Sequence, residues 1–312
     1  MSRKRPQLYP TRHLRGFLES SLRELDRIPF LNGKRKNEGD APSDVAVSVL
    51  IPTHPKDLWI GRHAVAHLKK NLQHPISEIL IVSPRDEKIS EWCEQDDLKW
   101  VDENEVIDWS ISKIEERLPD WAKNRKGWMF QQLIKLSADQ CCREDHILVL
   151  DADTLLLYKK AFISNGKLSL DYSHERNLLY LKAYRHLLGE APASWVSFVT
   201  HFMFMEKGVL KEMKKKISSH CGKEWDEAIV SLASESIWSR KELAVSPFNF
   251  FSEYEIYGNY VKRHNRYIKS RYFRNYSPQN FDKETLDIEK LVANLPSFYH
   301  WVSFHSYNGM QS

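Results

Sequence analysis

Apolar positions along the chain keep changing their spacing, and each spacing predicts an element. From Leu14 to Leu31 they recur at helical intervals (Leu14, Phe17, Leu18, Leu22, Leu25, Ile28) between arginines and glutamates, which predicts an amphipathic helix. A polar stretch, NGKRKNEGDAPSD, reads as a linker. The run VAVSVLIPT that follows is continuously β-branched and aliphatic and ends in proline and threonine, as a buried parallel strand does where it empties into a loop. A helix is predicted at Ile60 to Asn71, a second buried strand at SEILIVSP, a helix around Lys88 to Gln95 and a short strand at LKWVD. GWMFQQLIKLSADQCC returns to helical spacing, and HILVLDADTLLL gives a strand, a polar break and another apolar run. Strands alternating with helices predict an α/β fold whose mostly parallel central sheet is flanked by helices and opens its ligand loops at the strand ends. Beyond Leu157 the pattern turns irregular and aromatic, with alternating segments NLLYLKAY and SFVTHFMFM, a predicted helix from Trp225 to Trp238, and FNFFSEYEIYGNYVKRH. The expected organisation is a basic N-terminal helix and linker over 1–44 and one domain over 45–312, in halves 45–158 and 159–312.

Composition narrows the function classes. With 312 residues and 42% hydrophobic content the chain can build a substantial core. No stretch approaches the apolar length of a membrane-spanning helix, and MSRKRPQLYPTRHLRGF lacks the apolar core of a secretory signal, so cytoplasmic residence is expected. Cys93, Cys141, Cys142 and Cys221 form no C-x-x-C pair and read as reduced thiols. The net charge of +4 is uneven: basic residues crowd the start and the segment from Lys262 to Arg274. Acidic partners, including peripheral contact with an anionic membrane at its inner face, fit that pattern. Equally, the N-terminal helix could pack on the domain or on a second subunit. RNA-binding and paired-zinc motifs are missing, so no nucleic acid is expected.

The D-A-D triplet carries the chemistry. In a strand, residues two apart point the same way, so Asp151 and Asp153 would present two carboxylates at the sheet edge. Such a pair suits Mn²⁺ or Mg²⁺, hard cations that take oxygen ligands and share them with phosphates. Around the triplet the chain resembles the GT-A (Rossmann-like) glycosyltransferases, and locally the glycogenin-like family, through Lys135-Leu136 and ILVLDADTLLL about a hundred residues after VSVLIPT. Through GWMFQQLIKL, VTHFMFM and FSEYEIYGNY it also resembles a group of bacterial GT-A-like proteins.

The resemblance implies a metal-dependent glycosyltransferase using a nucleotide-sugar donor, a UDP-sugar foremost, and a glycan or lipid-linked glycan acceptor, with a role in bacterial surface polysaccharide synthesis. It implies that Asp151 and Asp153 serve the metal and the donor, that Lys135 faces the donor diphosphate or sugar, and that His305 or His300 supplies a C-terminal metal ligand. Glu253 and Glu255 lie amid aromatics, where burial would raise a carboxyl toward a usable general base, Glu253 foremost. The likeness at D-A-D-T-L is to a retaining family that needs no such base, so both anomeric outcomes stay open. Thr53, His54, Asp57 and Arg85, in loops after the first two strands, are candidates for the nucleotide, and His201 for the donor–acceptor boundary. Alternatives are a non-catalytic polyanion or nucleotide-sugar binding protein and a phosphatase of the haloacid dehalogenase type. The latter expects threonine or valine two places after the second aspartate, where this chain has Leu155.

Overall fold

The computed structural model describes residues 39–239, 250–264 and 268–305; the helix expected over 14–31 lies outside them. The strands in chain order are β1 (Val47–Pro52), β2 (Ile76–Ser83), β3 (Lys99–Asp102), β4 (His146–Leu150), β5 (Thr154–Leu156), β6 (Ile163–Ser164), β7 (Lys167–Tyr172), β8 (Phe202–Glu206), β9 (Ile268–Tyr272), β10 (Asn275–Tyr276) and β11 (Trp301–Ser303). The longer helices are α1 (Leu58–Asn71), α2 (Glu87–Gln95), α3 (Lys126–Leu136), α4 (Leu178–Leu188), α5 (Lys207–Cys221) and α6 (Glu253–His264).

Five strands form the central sheet in the order β3-β2-β1-β4-β8. β1, β2, β3 and β4 run parallel, with Leu50 opposite both Leu80 and Val149. The side chains of β1 and β4 are almost wholly buried, as the unbroken apolar runs predict for strands covered on both faces, while β3 lies at the sheet's edge and is largely half-buried. β8 runs antiparallel to β4 and starts where β4 stops, Phe202 opposite Leu150. That reversal brings the residue before β8 to the edge where the parallel strands release Thr53, Ser83, Asp102 and Asp151 into loops.

Two small sheets complete the frame. β5 pairs antiparallel with β11, which runs parallel to β10; β7 pairs with β6 and β9. A satellite core of Ile60, Leu155, Val302 and Phe304 pins β5 and β11 against α1. Burying each such side chain contributes about 1.5–3 kcal/mol, enough to fix the chain's last strand beside the D-A-D segment.

Three local expectations are corrected. NLLYLKAY folds as α4: Asn177 caps its start by accepting from Leu179 N, the buried stripe Leu179, Ala183, Leu187 has helical period, and Gly189 ends it in the left-handed region. The helix predicted to Trp238 stops at Ser231 and continues only as a 3₁₀ turn, Leu232–Ser234, whose Leu232 carbonyl accepts from Trp238 Nε1. Asp151 to Asp153 form a turn between β4 and β5, closed by Thr154 N donating to the Asp151 carbonyl. Residues in a turn do not alternate as strand residues do, so the two carboxylates face different neighbours.

Candidate active site

Three chain ends meet at the sheet's carboxyl edge. Asp151 N donates to the His201 carbonyl, tying β4 to the start of β8, and Phe304 N donates to the Asp153 carbonyl, tying the end of β11 to the same turn. His201 and His305 are thereby carried to within 4.5 Å of each other, ring centroid to centroid. His201 holds a φ of 59°, a left-handed backbone that a non-glycine residue adopts only where its surroundings impose it.

Around Asp151 the charges are layered. Its Oδ1 lies 2.5 Å from Lys135 Nζ and accepts from the Tyr254 hydroxyl at 2.8 Å; its Oδ2 lies 3.5 Å from His201 Nδ1. Lys135 is 2% exposed and also reaches Glu253 Oε1 at 2.8 Å, while its ammonium sits 4.5 Å over the Tyr254 ring. Burial would raise the Asp151 pKa, but the Lys135 ammonium and then His201 hold it well below the usual carboxylate range. Lys135 is likewise held above the ordinary lysine value, Asp151 and Glu253 overruling its burial. His201 is raised: its burial opposes the charge, and the bond to Asp151 wins. Its Nε2 is buried with no protein partner.

Asp153 faces the other histidine. Its Oδ2 is 3.6 Å from His305 Nδ1, and its Oδ1 accepts from Thr154 Oγ1, which also meets Ser303 Oγ. Asp57, at the start of α1, has a raised carboxyl; burial leads, Lys56 opposes, and the charge of Asp153 adds to it. Four acids thus act on one another along this edge, Asp57 with Asp153 and Asp151 with Glu253, with Lys135 bound to the second pair and Lys56 and Lys283 near Asp57.

Among the described residues no three His, Cys, Asp or Glu side chains already enclose a metal position. The donors come instead as two pairs, Asp151–His201 and Asp153–His305. A separation of 3.6 Å between Asp153 Oδ2 and His305 Nδ1 is too long for a good hydrogen bond. Two ligands each about 2.1 Å from a cation stand apart by somewhat less, so a small side-chain rotation would let both take the same ion. The oxygen and imidazole set, the surplus acidic charge and the orphaned His201 nitrogen fit a divalent cation with a phosphate beside it.

Other candidates are placed elsewhere. Lys135 lies buried beneath Asp151, its ammonium turned to Asp151 and Glu253. Glu253 is 2% exposed and bound to Lys135, and its backbone N donates to the Gln132 amide oxygen. Its pKa is raised by burial and then by Asp151, as a carboxyl amid aromatics predicts, against the Lys135 ammonium that holds its Oε1. Glu255 is an internal staple: Oε2 accepts from Ser197 Oγ and Phe198 N, and Oε1 from Asn259 Nδ2. Gly258 permits that staple, since a Cβ there would run into the Phe198 ring. His300 stacks 4.2 Å from Tyr158, and burial with nearby Arg274 and Lys160 pushes it down to about 3; it belongs to the back of the β5–β11 sheet and not to the D-A-D turn. Thr53 turns its hydroxyl back to the Ile51 carbonyl. Arg85, 79% exposed in its side chain, pairs with Asp102 at the ends of β2 and β3, two strands away from β4. Among the described residues of the basic segment, Lys262 donates to Ser194, Arg263 meets Glu190, and Arg271 meets Asp40.

Tyr254 and Gln132 escaped the sequence reading. Tyr254 stands between the two glutamates singled out there; with Glu253 and Glu255 at the buried start of a helix, a polar group between them had to find a partner too.

Compared with known proteins, residues 60–309 match DUF6492, described as a family of unknown function. No curated protein matches the chain. Among solved structures it is similar to mouse xyloside xylosyltransferase 1 in its apo form, at 10% identity, covering 85% of this chain and 100% of that one, with a TM-score of 0.43. It is similar to the galactosyltransferase LgtC in complex with donor and acceptor sugar analogs, at 10% identity over 82% and 86% of the two chains, with a TM-score of 0.38. A third is the apo-form glycosyltransferase GlyE of Streptococcus pneumoniae TIGR4, at 10% identity over 86% and 56%, with a TM-score of 0.37. Likenesses this distant say nothing of substrate or of residue roles.

Proposed function

We propose, for a chain that belongs to the DUF6492 family, that it is a metal-dependent glycosyltransferase moving a sugar from a nucleotide-sugar donor to a hydroxyl acceptor. The observation that supports the reading is the meeting of Asp151, Asp153, His201 and His305 at the carboxyl edge of a parallel sheet, with acid in excess of base. In open α/β sheets that edge is where ligands bind.

In this reading Asp153 and His305 hold the cation, and Asp151 contributes the carboxylate oxygen that faces His201. Bound Mn²⁺ or Mg²⁺ would supply a Lewis acid for the negative charge that grows on the departing phosphates. Lys135 is a positioning residue: it fixes Asp151 in its ionised form and in one rotamer, together with Tyr254. His201, through its inward Nε2, is the donor-side group that a phosphate oxygen or sugar hydroxyl would meet. Asp57, at the start of α1, borders the nucleotide side. No base is drawn from α6, because Glu253 and Glu255 are both committed to partners within the protein.

The test is thermal unfolding with UDP, GDP, CMP and ADP, each with and without Mn²⁺. One nucleoside diphosphate is expected to raise the midpoint only when Mn²⁺ is present, and Asp153→Asn is expected to abolish that rise without lowering the midpoint of the protein alone. No response to any nucleotide would sink the reading.

A further inference from the structure

A cleft of about 540 Å³ opens beside the D-A-D junction. Its connection to the site is direct: Phe273, which lines it, has its ring 5.8 Å from that of His201, and the charge of Glu175, also in the lining, acts on His201. The volume lies in the range of clefts that enclose small ligands.

Two aromatic groups furnish the lining. Tyr272, at the end of β9, is braced by the ring of Tyr172 at 5.7 Å and by His174, whose Nδ1 is 3.0 Å from the Tyr272 hydroxyl. Phe298 and Tyr299 lie 4.2 Å apart, and Tyr299 meets Tyr276 edge-on at 5.3 Å. Phe298 is 42% exposed, one of four large apolar side chains left exposed among the described residues. Between these groups the lining is uncharged and polar, with Asn275, Ser277 and Gln279 bonded to one another. The lining carries charge of both signs, Glu175 offsetting Arg274.

Aromatic faces with amides and hydroxyls between them suit a ligand whose rings carry apolar C–H faces and a rim of hydroxyls. We infer that this cleft is the acceptor subsite and takes the terminal rings of a neutral glycan, stacked on Phe298–Tyr299 and Tyr272. The inference rests on the transferase reading and names its acceptor class: a neutral oligosaccharide instead of a phosphorylated or membrane-bound one.

Saturation-transfer NMR on the whole chain, without nucleotide or metal, tests it with lactose, cellobiose, maltose and glucose 6-phosphate as probes. At least one neutral disaccharide is expected to receive saturation, and Phe298→Ser and Tyr299→Ala are each expected to weaken its binding about tenfold, the scale of one lost aromatic contact. Phe298 is exposed, so its substitution leaves the core intact. The nucleotide response with Mn²⁺, measured on the same variants, is expected to stay unchanged. If no disaccharide binds while that response persists, the acceptor assignment falls and the donor reading stands. If a disaccharide binds but no nucleotide responds, the transferase reading falls, and the acceptor role with it. Preference for glucose 6-phosphate, or neutral binding unaffected by both substitutions, overturns the inference.

Discussion

Two lysines are buried to nearly the same degree, Lys135 beneath the D-A-D turn and Lys160 at the base of β7, yet their surroundings differ in one respect. Lys160 donates to both oxygens of Asp171 at 2.8 and 2.9 Å, and beside them Arg271, its side chain 24% exposed, meets Asp40 at 2.5 Å, so two cations balance two acids. Burial dominates there, lowering Lys160 and raising Asp171 toward their neutral forms. Lys135 faces two acids alone, and one of them, Asp151, has a side chain 20% exposed. Its pKa moves the other way, upward. A balanced cluster is complete as it stands. An acid-rich cluster open on one side is set up to receive positive charge, which is why we assign the ligand site to the second and a structural role to the first.

Substituting each lysine by methionine should separate the roles. Lys160→Met leaves Asp171 buried without its partner and is expected to cost about 4 kcal/mol of stability in denaturant titration. Adding Asp171→Leu should recover most of that loss, because a buried pair exchanged for apolar side chains is often neutral. Lys135→Met should cost less, about 2 kcal/mol, since Asp151 reaches water and Glu253, already raised by burial, can take a proton. Its main effect should fall on the nucleotide response with Mn²⁺, which Lys160→Met leaves intact in the folded protein. Equal losses of that response in both variants would erase the distinction.

Glu190 supplies an intermediate case and a pH dependence. One carboxylate is shared by Lys216 at 2.6 Å, Arg263 at 3.1 Å, His264 at 3.1 Å and the Tyr184 hydroxyl at 2.9 Å, linking the end of α4 to α5 and α6. Burial works against it, but Lys216, His264 and Tyr184 bring its pKa down to about 2. A depressed folded-state pKa gives stability that is present above the ordinary glutamate value and lost as pH falls toward 2. Between pH values of about 4.5 and 2 the protein should lose about 2 kcal/mol through this group, and Glu190→Gln should show a correspondingly shallower acid dependence. Cation surplus at Glu190, balance at Lys160 and acid surplus at Lys135 thus form a series in which only the last is read as a ligand site.

The parallel half of the molecule was legible because buried strands announce themselves: VAVSVLIPT, SEILIVSP and HILVL became β1, β2 and β4 within a residue or two. Each owes its form to local composition and burial on both faces. The break at Asp151–Asp153 was legible as a polar interruption, but the strand rule that set its two carboxylates side by side does not hold in a turn closed by Thr154 N on the Asp151 carbonyl. NLLYLKAY was ambiguous for a related reason: its polar positions alternate locally, while the helical stripe emerges only when Leu187 and the stop at Gly189 are included. Residue types at the site were readable, but partners were not. Nothing in Glu253 and Glu255 foretells that one locks a lysine and the other staples a loop, because both bonds span more than fifty residues of chain.

The smallest expected effect is the most discriminating within the Lys135 cluster. Tyr254→Phe removes the hydroxyl that donates to Asp151 Oδ1 at 2.8 Å but keeps the ring over which the Lys135 ammonium sits. Packing and the cation–π contact should survive, so stability should fall by about 1 kcal/mol, the net worth of one hydrogen bond. Asp151 keeps Lys135 and His201 and therefore stays ionised, while its rotamer is held by one bond fewer. Titration of the responding nucleotide with Mn²⁺ should accordingly show weakening of about threefold to fivefold, the scale of a loosened positioning contact. A complete loss would mean that Asp151 depends on the hydroxyl more than on the lysine's charge, and the contrast between the two buried lysines would no longer explain where the ligand goes.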